Sequence, residues 1–355
     1  MAPSRLGFTP RDETDGNAFA GFDTGDMSLR GKLRSKTGGR VKQDFNRDQW
    51  AIVLGGSSGF GLATAQKLAE HGMSLCIVHR DRRGAMSRIE PEFEKIRGAG
   101  VPLLTFNTDA LDSGKRDEIL TELQGAMGAD GKVRVLLHSI AFGNLKLIAP
   151  EKPTPSSTTA DLAERLGVSA ERLTEAANEL FAAGADGLHT LADRPIYSDR
   201  SYIDDEDLDR TIYSMGTSVL GWAQTLLERG LFAEDARIFG LTSEGNEVAW
   251  KGYAAVAAAK VALESIARSM AVEFAPYGIR SNVIQAGVTD TAALQAIPGS
   301  SQLKAQARLR NPFGRLTTPI DVANVICLLS TAEAAWINGE VIRVDGGEHI
   351  SGVLR

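Results

Sequence analysis

Tyr253 and Lys260 stand seven residues apart in the alanine-rich run Tyr253-Ala-Ala-Val-Ala-Ala-Ala-Lys-Val-Ala-Leu-Glu264. Residues at that spacing lie two turns apart on one helix face, so a phenol and an ammonium can share a pocket. The ammonium would lower the pKa of the phenol and bond a ribose diol. The phenol would hydrogen-bond a carbonyl as negative charge develops on it. An isolated tyrosine near a lysine is commonly only an exposed pair. This one follows Thr242-Ser243 at the end of a strand-like run, which brings a further hydroxyl toward the same place.

A second constellation is Gly55-Gly56-Ser57-Ser58-Gly59-Phe60-Gly61. A glycine pattern alone is weak, but here the short apolar run Ala51 to Leu54 precedes it and a helical period, Leu62 to Glu70, follows it up to Gly72. Glycines let a backbone approach a pyrophosphate, Ser57 and Ser58 can bond phosphate oxygens, and a helix beginning near Gly61 offers free N–H groups and a partial positive charge. This predicts dinucleotide binding. The next strand ends at Val78, before His79-Arg80-Asp81-Arg82-Arg83. A guanidinium fork there suits a 2′-phosphate and favours NADPH. If Asp81 takes the ribose hydroxyls instead, the cofactor is NADH.

The elements that must position these groups alternate. Strands are expected at Ala51 to Leu54, Ser74 to Val78, Pro102 to Asn107, Val133 to Leu137, Ala236 to Leu241, Arg280 to Gln285 and Glu340 to Val344, with helical stretches between most of them. That rhythm predicts an α/β fold with a doubly wound parallel sheet, a Rossmann fold, in which ligands sit just beyond the carboxyl ends of the strands. Residues 1–48 are Gly-rich and polar with a basic run from Arg30 to Lys42, and read as a flexible N-terminal arm; residues 49–355 form the Rossmann domain. Within it, residues 144–209 break the rhythm and read as an insert, a helical hairpin near the substrate side. Its run Asp161 to Ala177 resembles a DNA-binding helix-turn-helix, but Glu171, Glu175 and Glu179 stand where a phosphate backbone would demand cations.

Composition narrows the function. The 355 residues are 43% hydrophobic, enough for a large core, and the net charge of −6 leaves no footprint for nucleic acid. Apolar runs fall far short of the roughly 18 to 20 residues of a membrane span, and the first twenty residues look like neither a signal nor a transit peptide, so a cytoplasmic location is expected. The two cysteines, Cys76 and Cys327, and the five scattered histidines suggest buried packing and no metal site.

Together these motifs resemble the short-chain dehydrogenase/reductase superfamily, and within it the enoyl-acyl carrier protein reductases, over about residues 50–143 and 210–352. Gly55-x-x-x-Gly59-x-Gly61 looks like the superfamily's turn. Asp109, with Ala110, matches the residue that contacts adenine. His138-Ser139-Ile140-Ala141-Phe142-Gly143 is similar to the enoyl reductases' fourth-strand motif. Ordinary members place tyrosine four residues before the lysine, where this chain has Val256; enoyl reductases place it seven before, as Tyr253 is. Gly287, Val288, Thr289 and Thr291 look like the nicotinamide-amide loop. Three departures are present. Ser243 occupies the place of the ordinary superfamily's catalytic serine, where many enoyl reductases have an aromatic; the glycine loop is of the ordinary type; and the insert lengthens the substrate side. Met215 stands where ordinary members have asparagine.

The resemblance implies NADPH-dependent reduction of the double bond of a trans-2-enoyl thioester, on acyl carrier protein or coenzyme A, in acyl-chain synthesis. Tyr253 would stabilise the enolate oxygen, Lys260 hold the ribose, and Ser243 bond the carbonyl or pack. It also implies a homotetramer, with helix Ile320 to Leu329 and the final strand apolar enough for subunit contacts. Two rivals stand beside this reading: a carbonyl reductase acting on a 3-oxoacyl or other ketone, and a non-catalytic nucleotide-binding scaffold.

Overall fold

The computed structural model describes residues 44–152, 157–197 and 202–352. Among the described residues, short apolar runs punctuated by glycine become seven strands: β1 (Gln49–Leu54), β2 (Ser74–His79), β3 (Leu103–Asn107), β4 (Lys132–His138), β5 (Phe232–Ser243), β6 (Ile279–Ala286) and β7 (Val341–Val344). They form one sheet in the order β3-β2-β1-β4-β5-β6-β7, and every pairing is parallel. β1, β2 and β4 are buried almost end to end, as strands covered on both faces must be.

On one face α1 (Gly59–Glu70) and α2 (Met86–Gly98) cover the sheet. On the other lie α3 (Ser113–Met127) and two later helices, α7 (Ser218–Glu228) and α8 (Ala254–Glu273). Strand order reverses between β1 and β4, so their carboxyl ends diverge and leave a crevice, where ligands bind in such sheets. Core packing reaches the crevice directly. Trp222 of α7 is fully buried and its Nε1 donates to the carbonyl of Ala110 at 2.9 Å, fixing the turn after β3. Truncating such a tryptophan costs about 3–5 kcal/mol.

The expected insert holds α4 (Ser157–Leu166) and α5 (Ala170–Ala182), which meet through a turn at Gly167 with Ser169 as N-cap of α5. Its end is earlier than residue 209. α6 (Asp205–Ile212) runs through a π-helical turn, Tyr213–Thr217, straight into α7, so 205–228 is one helical stretch of the main domain. Of the expected arm, residues 44–48 are among the described ones. Residues 1–43 lie outside the described residues, but Phe45 is buried against the sheet's α1–α2 face and its N–H donates to His71, because an aromatic side chain there completes the core. After β6 come α9 (Ala292–Gln295), α10 (Ser300–Arg310) and α11 (Pro319–Leu329), the last packed beside α1. Burial pushes both cysteine thiols up, that of Cys327 to about 11, consistent with packing roles. Among the described residues no helix is long and apolar enough to cross a membrane, and no cluster of His, Cys, Asp and Glu could hold a metal.

Candidate active site

Every strand end from β1 to β6 opens onto one cavity of about 580 Å³. Its lining contains Gly55, Ser57, Ser58, Gly59 and Phe60 from the first turn, His79 and Arg80 after β2, Asp109 and Ala110 after β3, and Ser139, Ile140 and Ala141 after β4. Ser243, Tyr253, Lys260, Gly287, Val288, Thr289 and Thr291 complete the sequence-predicted set within it. Gly61 alone of that set stays outside, and its role is steric. A Cβ at 61 would sit 2.2 Å from the carbonyl oxygen of Gly55, whose own φ of +86° suits glycine.

The first turn can hold a pyrophosphate. α1 begins at Gly59, two residues before the expected start. Its N-cap, Ser58, makes no capping bond and its first turn carries no acid, so the N–H donors face the cavity with their partial positive charge uncompensated. A Cβ on Gly55 would fall 2.5 Å from the carbonyl of Ser139, so the cradle closes against the turn after β4 with room for backbone only.

At the far end of this groove Arg80 donates from Nη1 to Asp109 at 2.7 Å and lies over the ring of Phe142, 4.6 Å from its centre. Asp109 also accepts from the Leu111 N–H at 3.0 Å. His79 is buried, edge-on to Phe93, and its Nδ1 meets Asp81 at 2.9 Å. Arg80 and Asp81 line the cavity, whereas Arg82 and Arg83 are exposed and do not.

The reactive end is built on β5 and α8. Tyr253 is the N-cap of α8 and not an interior helical residue, with Lys260 two turns along. The Tyr253 and Ser243 hydroxyls are 3.3 Å apart. The expected coupling of phenol to ammonium differs from the one found. The Lys260 Nζ donates to the carbonyl of Leu241 at 2.8 Å, and the phenol's pKa is raised by burial, with only Ser243 pulling it down. Lys260 is itself pushed down to about 8 by desolvation, against the pull of Glu264. Glu264, unforeseen from sequence, sits one turn beyond Lys260 and accepts from Thr242 Oγ1 at 2.6 Å and Asn246 Nδ2 at 2.7 Å, pinning both sides of Ser243. Behind them His138 is buried against Ser218 Oγ at 2.9 Å, and desolvation with the nearby Lys260 pushes it down to about 3, so it is neutral.

Around Tyr253 the wall turns apolar. Met215, in the π-helical turn, packs with Tyr253, Val256 and Ala259; Leu145, Trp250 and Ile297 close over them, and Leu294 and Leu303 line the cavity beside them. Trp250 stands edge-on to the Tyr253 ring, centres 5.3 Å apart. This end was not foreseen residue by residue, because apolar side chains from four separate segments carry no common local signal.

The arrangement offers a phosphate cradle, a buried protonated phenol and a small apolar chamber beside it. The description "short chain dehydrogenase" matches residues 49–161, and "Enoyl-(Acyl carrier protein) reductase" matches residues 190–349. The chain is 27% identical over 304 residues to a probable 2,4-dienoyl-CoA reductase of Bacillus subtilis, covering 84% of this chain and 96% of that one. It is 39% identical over 117 residues to the enoyl-acyl-carrier-protein reductase (NADH) of Aquifex aeolicus, a third of this chain (33%) and 43% of that one. Its fold matches an enoyl-acyl-carrier-protein reductase of Anaplasma phagocytophilum solved with NAD, at TM-score 0.62 and 18% identity, covering 88% and 96% of the two chains.

Proposed function

Since the chain belongs to the short-chain dehydrogenase/reductase superfamily and is an oxidoreductase of the enoyl-reductase-like kind, we propose that it reduces the double bond of a trans-2-enoyl thioester, with NADPH as cofactor. The observation that carries this reading is Tyr253, seven residues before Lys260 and buried where the groove that begins at the glycine turn meets the apolar chamber. A bound nicotinamide would supply the hydride. Tyr253 keeps its proton and donates to the thioester carbonyl, favouring the enolate over the ground state, and the α-carbon then takes its proton from solvent at the cavity mouth, so hydride and proton together saturate the bond. Lys260, with its charge turned to the Leu241 carbonyl and the groove, orients the ribose. The chamber of Met215, Trp250, Val256, Ile297 and Leu303 excludes water and takes the acyl group.

For NADPH the supporting feature is Arg80, whose guanidinium lines the ribose end and could exchange Asp109 for a 2′-phosphate. Asp81, turned by His79, supports NADH instead. Arg80→Ala should then abolish a preference for NADPH in kcat/KM while sparing NADH. Either coenzyme A or acyl carrier protein could present the acyl group. The exposed Ile320 and Leu328 of α11, with Trp336, support the homotetramer, to be counted by light scattering.

Ser243, bonded to Tyr253 at 3.3 Å, favours a second reading, reduction of a ketone polarised by both hydroxyls. Crotonyl and acetoacetyl thioesters compared under NADPH oxidation separate the two. Turnover of the keto substrate alone would replace the enoyl reading.

A further inference from the structure

The insert reaches the acyl end of the site through one helix. α10 carries Leu303, and the segment before it Ala296 and Ile297, on the cavity wall. Three contacts tie this helix to the insert. Arg308 donates from Nε at 2.6 Å and Nη2 at 2.5 Å to the two oxygens of Asp186; Gln302 Nε2 donates to the carbonyl of Asp193 at 2.9 Å; and Gly299, opening α10 at φ +79°, lies so close to Pro195 that a Cβ there would come within 2.6 Å of the ring. The insert is held again next to Tyr253 in the chain. Lys251 donates to Glu151 at 2.6 Å, and the Tyr197 ring lies 3.4 Å from where a Cβ on Gly252 would be. Leu145, at the insert's root, lines the cavity itself.

A bidentate fork fixes direction as well as distance, so Asp186 holds Arg308, and with it α10, in one orientation. The whole cavity is about 580 Å³. Pockets of roughly 300–1,000 Å³ hold one drug-sized ligand, and this one has a dinucleotide and an acyl group to hold together. We propose that the insert is a clasp over the acyl chamber, latched by Asp186 to Arg308, and that by holding α10 down it restricts the enzyme to short enoyl thioesters. The chain-length part rests on the enoyl-thioester reading; the latch does not.

The test compares the full-length enzyme with Asp186→Asn, Arg308→Gln and the swapped pair Asp186→Arg/Arg308→Asp. Two readouts are taken: hydrogen–deuterium exchange of residues 299–310, and kcat/KM for crotonyl-CoA and trans-2-dodecenoyl-CoA. In each single variant, exchange of that segment should accelerate about tenfold and the dodecenoyl-to-crotonyl ratio rise about tenfold, with crotonyl turnover within about threefold of wild type. The swapped pair should move both readouts back toward wild type. Unchanged exchange in both single variants overturns the latch, and faster exchange with an unchanged ratio overturns the gating of chain length. If the wild-type enzyme turns over neither thioester, the enoyl reading and its chain-length part fall, and the exchange experiment, which needs no substrate, still upholds or overturns the latch.

Discussion

The hydroxyls of Ser243 and Tyr253 meet at 3.3 Å, the Tyr253 side buried among Met215, Val256 and Trp250. Either oxygen can be the donor in that contact, so the phenol proton is free to turn toward a substrate carbonyl while the serine hydroxyl fills its place. Burial holds the phenol's pKa above the ordinary tyrosine value, which keeps the donor protonated throughout the neutral range.

Removing that donor should therefore act on kcat. Tyr253→Phe keeps the ring against Trp250 and removes one hydrogen bond to the developing charge, for an expected loss of about 10²–10³ in kcat with KM little changed. Ser243→Ala should cost an enoyl thioester about tenfold or less, because the phenol still reaches the carbonyl. Steady-state kinetics on both variants checks this, and equal losses would mean that the two hydroxyls act as one unit on the substrate.

Lys260 should cost the fold what it gives the site. Desolvation lowers its pKa from 10.5 to about 8, so in the folded chain the proton leaves first. Between about pH 8 and 10.5 the unfolded chain binds more protons, and this residue's contribution to stability rises with pH; below pH 8 both states are charged and the burial penalty is constant. Lys260→Met should be inactive yet more stable at pH 7 by roughly 1–3 kcal/mol, after allowing for the lost bond to Leu241, and should lose the wild type's gain between pH 8 and 10. Denaturant melts across that range decide it; a less stable Lys260→Met at pH 7 would contradict the account.

The seven strands were legible because a parallel sheet covered on both faces demands short apolar runs, and each run here is bounded by glycine or polar residues. Site residues just beyond strand ends were legible for the same reason: topology alone brings Gly55, Asp109, Ser139 and Ser243 to one edge. What escaped depends on distant partners. Nothing near Glu264 marks its bonds to Thr242 and Asn246, and nothing near Asp186 marks Arg308, 122 residues away. Phe45 sits in a polar stretch and shows its role only against α1, and the insert's end was hidden because the acidic patch at 204–209 is a helix start, with Asp204 as N-cap. The phenol–ammonium coupling was misjudged because spacing fixes a helix face but not where a flexible ammonium turns.

Gly61 stays outside the lining of the cavity, yet its substitution should disable the cradle. Gly61→Ala would place a methyl 2.2 Å from the carbonyl oxygen of Gly55, and that atom belongs to backbone that cannot move without opening the turn. NADPH affinity should fall about a hundredfold or more, about 3 kcal/mol, in a titration. Gly84→Ala, where a Cβ meets nothing within 4 Å, is the matched control and should bind as wild type.

Arg310 joins three parts of the site. Its fork donates to both oxygens of Glu244 at 2.7 and 2.6 Å, next to Ser243, and to Glu348 at 2.9 Å, whose other oxygen accepts from the Val288 N–H at 3.3 Å. Glu244 and Glu348 are only 8% and 2% exposed, so Arg310→Met would leave two buried carboxylates facing each other, a loss of about 3–5 kcal/mol at pH 7. Burial already holds the Glu348 carboxyl above the ordinary glutamate range, and losing the guanidinium would raise it further. The folded variant would then bind more protons than the unfolded chain, so its stability should recover as pH falls from 7 toward 5. Arg310→Met/Glu348→Gln removes one of the two charges and should regain part of the loss at pH 7 while flattening the pH dependence. Urea melts of the three proteins at pH 5 and 7 measure both effects, and a single variant no less stable than wild type at pH 7 would show that the two carboxylates do not need the cation.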